Sequence, residues 1–164
     1  MTNSEVLYRG FLEKYPMPKV LEKKHLEDSI SDYLHKYHKI LIVSAAYEDR
    51  LYPELLILDR TRNIFGYICI QQYPSDNDDS ISRMEFDNIT RKRIQICYSE
   101  LDRPVFFLYV FTEKNNSGIH FLTSEQIQDI LLEKIENNEY TPFFPNKEMM
   151  GELDELVHII KNNT

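Results

Sequence analysis

The stretch that decides the fold reads Tyr52-Pro-Glu-Leu-Leu-Ile-Leu-Asp59, then Arg60-Thr-Arg-Asn63, then Ile64-Phe-Gly-Tyr-Ile-Cys-Ile-Gln-Gln-Tyr73. Two apolar runs of strand length flank a short polar segment, a pattern typical of two consecutive strands joined by a turn. Side chains alternate along a strand, so positions 67, 69, 71 and 73 share one face. We predict strands over 54–59 and 64–72, with a carboxylate at the start of the first and polar side chains on the second.

Hydrophobic patterns on both sides of this block predict alternating helices and strands. The predicted elements are a helix over 20–37, a strand over 39–46, a helix over about 84–101, strands over 105–111 and 119–122, a helix after 123 and a helix over about 147–161. A turn over 115–118 separates the two later strands. Thr123 and Gln126 have the spacing of a capping box at a helix start. This order predicts an α/β fold, a three-layer-like sandwich with a central mixed β-sheet of about five strands flanked by helices.

Length and composition limit the class of protein. A chain of 164 residues predicts one domain, with a core over about 20–136 and the C-terminal helix over about 147–161. No targeting segment and no apolar run long enough to cross a bilayer are present, so we expect a cytoplasmic protein without a membrane partner. Cys69 and Cys97 lie in apolar stretches, which predicts buried thiols rather than a disulfide.

The order of elements, together with block 52–73, resembles the restriction-endonuclease-like, or PD-(D/E)XK, superfamily. More narrowly, it resembles small bacterial nuclease-like domains found in defence systems. The resemblance covers roughly residues 21–135 and implies the restriction-endonuclease-like fold. Active members place an acidic residue on one strand and Glu-x-Lys, or Gln-x-Lys, on the next. It therefore implies metal-assisted hydrolysis, in which carboxylates hold Mg²⁺ and the lysine assists the attacking water.

The resemblance assigns site residues position by position. Glu54 matches the first acidic position and Glu27 matches a supporting metal ligand on the first helix. On the next strand, one register places Cys69 and Gln71 at the Glu-x-Lys positions and the neighbouring register places Gln71 and Tyr73 there. Neither register supplies a lysine, and a thiol is a poor ligand for magnesium. The alternative is that Glu54 and Gln71 are ordinary polar residues at a solvated sheet edge.

Charged residues suggest two further kinds of contact. Arg60 and Arg62 in the turn, and Arg91 and Arg93 on the middle helix, are candidate phosphate contacts, although clustered charge on a helix more often marks a solvated face. The net charge of −8 argues against a broad non-specific grip on nucleic acid. Three acidic residues of the 74–82 loop are candidates for contacting a basic protein: Asp76, Asp78 and Asp79.

The missing catalytic residues lead to the functional hypothesis. We predict a degenerate nuclease-like domain without catalysis or a cofactor, acting through a protein partner as an accessory or regulatory subunit in bacterial defence or mobile-element biology. The first alternative is a divergent Mg²⁺-dependent nuclease in which Glu27 and Glu54 bind metal, Gln71 orients water, and Lys92 or Asp49 replaces the missing group. The second is an acidic inhibitor or immunity-type binding module. The sequence leaves the oligomeric state open.

Overall fold

The computed structural model describes residues 23–74, 80–113 and 116–164. Four helices are present in these ranges: α1 (Lys23–His38), α2 (Ser80–Glu100), α3 (Ser124–Glu136) and α4 (Leu153–Asn163). Six strands accompany them: β1 (Leu41–Ser44), β2 (Leu55–Leu58), β3 (Ile64–Gln72), β4 (Val105–Glu113), β5 (Asn116–Thr123) and β6 (Gly151–Glu152). A 3₁₀ turn, Lys147–Met149, precedes β6.

The strands form one open sheet whose spatial order follows the chain, β1-β2-β3-β4-β5-β6. Only β3 and β4 are parallel, and the other neighbours are antiparallel. A parallel pair needs a long crossover, and α2 lies in the connection between these two strands. The predicted α/β class, with a central mixed sheet flanked by helices, is confirmed; β6 adds a sixth strand that the sequence pattern did not reveal.

Each face of the sheet has its own apolar core, which gives three layers. Helices α1 and α4 pack on one face against residues such as Ile57, Ile68 and Leu108. Helices α2 and α3 pack on the other face against residues that include Cys69 and Phe107. Strands β3 and β4 supply both cores, so they read as nearly continuous apolar runs.

Several predicted boundaries hold and others shift. The strand over 64–72 is confirmed residue for residue, and the capping box at Thr123 and Gln126 forms in both directions. The predicted start of the first helix, residues 20–22, lies outside the described residues. Helix α2 begins at Ser80, four residues earlier than predicted. The turn over 115–118 is wrong for 116–118, which lie in β5, and residue 115 is outside the described part.

The predicted continuous helix over 147–161 is wrong, because the chain first pairs with the sheet. Gly151 pairs with Phe121 of β5, and α4 starts only at Leu153. A Cβ atom on Gly151 would overlap the ring of Phe121, so the backbone approaches β5 this closely only with glycine. Strand β6 has two residues, too few to show the alternation by which strands are recognised.

This close approach makes Gly151 sensitive to substitution. We expect Gly151→Ala to lower the free energy of unfolding by about 1–3 kcal/mol, because the added methyl group overpacks against Phe121. Urea unfolding would measure the loss, with Glu152→Ala as the neighbouring control. A double mutant with Phe121→Leu should lose less than the two single losses combined; strict additivity would show that the ring does not cause the effect.

Candidate functional site

Glu54 lies immediately before β2, where the chain enters the sheet. Its N–H donates to the Ile68 carbonyl at 3.0 Å, and its own carbonyl accepts from the Ala45 N–H at 3.0 Å. Leu55 pairs with Ile68, so both Glu54 and Leu55 meet Ile68 where the chain enters the sheet, and Glu54 lies near Cys69 of β3. Two residues that the sequence analysis assigned to the candidate site, Glu54 and Cys69, are therefore neighbours in the structure.

The Glu54 carboxylate is buried and occupied by protein donors. Arg93 Nη2 donates to Oε1 at 2.5 Å and Arg93 Nη1 to Oε2 at 3.3 Å, a two-pronged arrangement typical of strong Arg–carboxylate pairs. The Ile70 N–H, which points toward β2 beyond the point where that strand begins, donates to Oε2 at 2.8 Å. Only 5% of the Glu54 side chain and 3% of the Arg93 side chain are exposed.

Arg93 enters the site from α2 and remains charged there. Besides Glu54, it donates from Nη2 to the Arg50 carbonyl at 3.0 Å, which ties the 45–54 loop to the helix. Burial alone would lower the pKa of Arg93, but the neighbouring Cys69 and Glu54 outweigh burial and raise it. Because the Cys69 thiol is itself neutral at pH 7, Glu54 supplies the balancing negative charge.

The two thiols are unreactive components of the core. Burial raises the pKa of Cys69 far above its ordinary value, and the nearby Arg93 only partly opposes this. Burial likewise raises the pKa of Cys97, one turn after Arg93 on α2, to about 12. Both cysteines are free, as predicted. At neutral pH neither thiol is a thiolate, so neither offers a nucleophile or a metal ligand.

A cleft of about 690 Å³ opens beside the ion pair, between α1, the 49–51 loop, the end of β3 and α2. Gln71 lines it, and Gln71 Oε1 is buried without a hydrogen-bond partner among the described residues. Lys92 and Asp49, the predicted replacements for the missing catalytic groups, line the same cleft, as does Glu85. The structure thus brings these side chains together, whereas the Glu54 carboxylate lies behind Arg93.

The other predicted metal ligand, Glu27, lies on α1 at a half-buried position and is not among the residues lining the cleft, although its neighbour Leu26 is. Within the described residues, no group of three or more His, Cys, Asp and Glu side chains has a geometry that would hold a metal ion. The predicted pair of Glu27 and Glu54 is therefore not part of such a cluster.

The four candidate arginines are not on one surface. Arg60 and Arg62 are exposed in the β2–β3 turn, which Asp59 shapes by accepting hydrogen bonds from the N–H groups of Thr61 and Asn63. Arg91 is exposed on α2 and pairs with Asp87 at 3.0 Å, whereas Arg93 is buried against Glu54. The acidic candidates Asp76, Asp78 and Asp79 lie outside the described residues.

Sequence reasoning missed the role of Arg93, which it had assigned to the helix surface. The sequence held a signal, because Arg93 lies on the same helical face as the apolar residues Phe86, Ile94 and Cys97. An arginine within such a stripe needs an internal carboxylate. The sequence carries no signal for the hydrogen bond from Arg93 to the Arg50 carbonyl, since every residue type has a backbone carbonyl.

Comparison with known proteins gives no assignment: no protein-family model matches the chain, and no curated protein matches it significantly. None of the helices in the described part of the chain is both long and apolar enough to cross a membrane.

Removing one member of the ion pair should destabilise the fold strongly. We expect Arg93→Met to lower the free energy of unfolding by about 3–5 kcal/mol, because it leaves the buried Glu54 carboxylate without its counter-charge. Chemical denaturation would measure this. Arg91→Met on the same helix is the matched control, and its exposed pair with Asp87 should contribute less than about 1 kcal/mol.

The double variant Glu54→Leu, Arg93→Met tests whether charge balance is the cause. Replacing both charges with apolar groups of similar size should recover most of the stability lost in Arg93→Met. A double variant as unstable as the sum of its single variants would show that the packing of Arg93, and not its charge, holds α2 in place.

Thiol accessibility provides an independent check of this core. We expect Cys69 and Cys97 to resist a thiol-specific reagent at pH 8 in the native protein and to react at once in denaturant, because burial raises the pKa of both. The measurement is the reagent's absorbance with time. Rapid reaction of the native protein would mean that α2 separates easily from the sheet.

Proposed function

We infer that this chain is a nuclease-like domain that has lost its hydrolytic site and serves as a non-catalytic accessory or regulatory subunit for a protein partner. Bacterial defence or mobile-element systems are the setting that the resemblance favours. The order of elements supports this inference: a helix, an antiparallel meander of three strands, a crossover helix and a strand parallel to the third.

The observation that carries the proposal is the arginine on the catalytic carboxylate. Arg93 donates to both oxygens of Glu54, and the neighbouring side chain on β3 is the buried, neutral thiol of Cys69. A hard divalent cation at this position would need Glu54 oxygens directed at it and a second oxygen ligand nearby. It would also lie against a fixed guanidinium, whose positive charge opposes its binding.

A divergent nuclease is the second candidate, and the cleft favours it. Gln71, Lys92, Asp49 and Glu85 line one cavity, which has the size of ligand sites in general. In this alternative Gln71 orients the attacking water, and Lys92 or Asp49 supplies the group that block 52–73 lacks. This candidate, unlike the first, predicts cleavage, and the cleavage depends on residues of the cleft.

A cleavage assay distinguishes the candidates. The substrates are single- and double-stranded DNA and RNA, each with Mg²⁺ or Mn²⁺, and an active nuclease added to a parallel sample controls for inhibition. We expect no metal-dependent cleavage by the native chain, because Arg93 occupies the Glu54 carboxylate. Cleavage that survives purification would contradict the proposal.

Variants then locate any activity. Lys92→Ala and Asp49→Asn change exposed side chains of the cleft, so loss of cleavage in both would assign the reaction to the cleft. Glu54→Gln keeps the shape of the buried side chain and tests the original carboxylate. Activity unchanged by all three substitutions would point to a contaminating nuclease. Calorimetric titration of the native chain with Mn²⁺ checks independently whether the chain itself binds metal.

A further inference from the structure

Strand β1 is an outer strand of the sheet, and its outward backbone groups follow from the register. Tyr67 directs its N–H to the Pro104 carbonyl before β4, so by alternation Gly66 and Ile68 face β2. When the same alternation is followed through the pairs of β2 and β1, the backbone N–H and C=O groups of Leu41 and Val43 point toward β2. The N–H and C=O groups of Ile42 and Ser44 therefore point away from the sheet, toward a side on which no described strand lies.

The same edge presents an uncovered apolar surface. Leu41 and Val43 pair with Leu58 and Leu56, and all four side chains share the face on which α2 and α3 pack. Those helices cover mainly β3, β4 and β5, so Leu41 is 39% and Val43 is 44% exposed. An open edge with an apolar face is the arrangement that pairs with another strand.

The charges around β1 make this edge complementary to itself. Lys39 precedes the strand and Glu48 follows it, both at exposed positions. In an antiparallel arrangement of two copies, the basic end of each β1 meets the acidic end of the other. A parallel arrangement would instead bring like charges together, which is unfavourable.

We propose that two copies of this chain associate through antiparallel pairing of β1, with the two-fold axis at Val43. In this register Ile42 of one copy lies opposite Ser44 of the other, and each such pair exchanges both backbone hydrogen bonds. Val43 of one copy faces Val43 of the other, and Leu41 of each copy packs beside the apolar surface of the other copy. The two sheets join into one continuous sheet, an association independent of the presence or absence of catalysis.

Sedimentation equilibrium of the full chain over the micromolar range tests for the dimer. We expect reversible dimers whose dissociation constant rises at least about tenfold in Val43→Lys, because the two lysines face each other across the axis. Val43→Glu should dissociate equally, and mixing the two variants should restore dimers. Leu132→Lys, an equally exposed apolar residue on α3, is the control and should leave dimerisation unchanged.

Disulfide trapping tests the register. Val43→Cys should form a cross-linked dimer on mild oxidation, because the facing Cα atoms lie about 4.5 Å apart, within the range for a disulfide. Leu41→Cys should not, because its two copies lie roughly 13 Å apart along the strands. The native thiols are buried, so they do not compete.

Three results would overturn the proposal. They are a native chain that stays monomeric throughout the range, dimers that Val43→Lys leaves intact, and cross-linking of Leu41→Cys as readily as of Val43→Cys. Circular dichroism of each variant confirms that it remains folded.

Discussion

The buried contact between Arg93 and Glu54 is the constraint on which the rest of the site depends. It joins four parts of the chain: α2 through Arg93, the start of β2 through Glu54, β3 through the Ile70 N–H and the preceding loop through the Arg50 carbonyl. Removing two charges from water is unfavourable unless each finds its counter-charge and hydrogen bonds. The contact therefore fixes the position of α2 over the sheet more than it adds net stability.

The sequence predicted the sheet well where local pattern determines structure. Strand 64–72 lies between polar residues and is apolar throughout its buried part, and the capping box at Thr123 depends on residues three positions apart. Gly151 was missed because its role depends on Phe121, thirty residues earlier in the chain. Local periodicity carries no information about which distant side chain will lie above a backbone.

The candidate site shows the same limit in its chemistry. The sequence predicted Glu54 as the first residue of a strand and residues 69 and 71 on the neighbouring strand; in the structure Glu54 lies one residue before β2, and residues 69 and 71 lie on β3. It assigned Arg93 to a solvated surface, because a basic cluster on a helix usually lies there. The choice depended on whether the α2 face containing Phe86, Thr90 and Ile94 packs on the sheet above Glu54, which is a tertiary fact.

A guanidinium and a divalent metal ion both neutralise a buried carboxylate, but they differ in what else they allow. A metal ion exchanges with solvent and keeps coordination positions for water and substrate oxygens. Arg93 is tethered to α2, stays protonated, and directs its Nη atoms at Glu54 and the Arg50 carbonyl. Arg93 thus cross-links the helix to the sheet, and the Glu54 oxygens point at the Arg93 guanidinium and the Ile70 N–H.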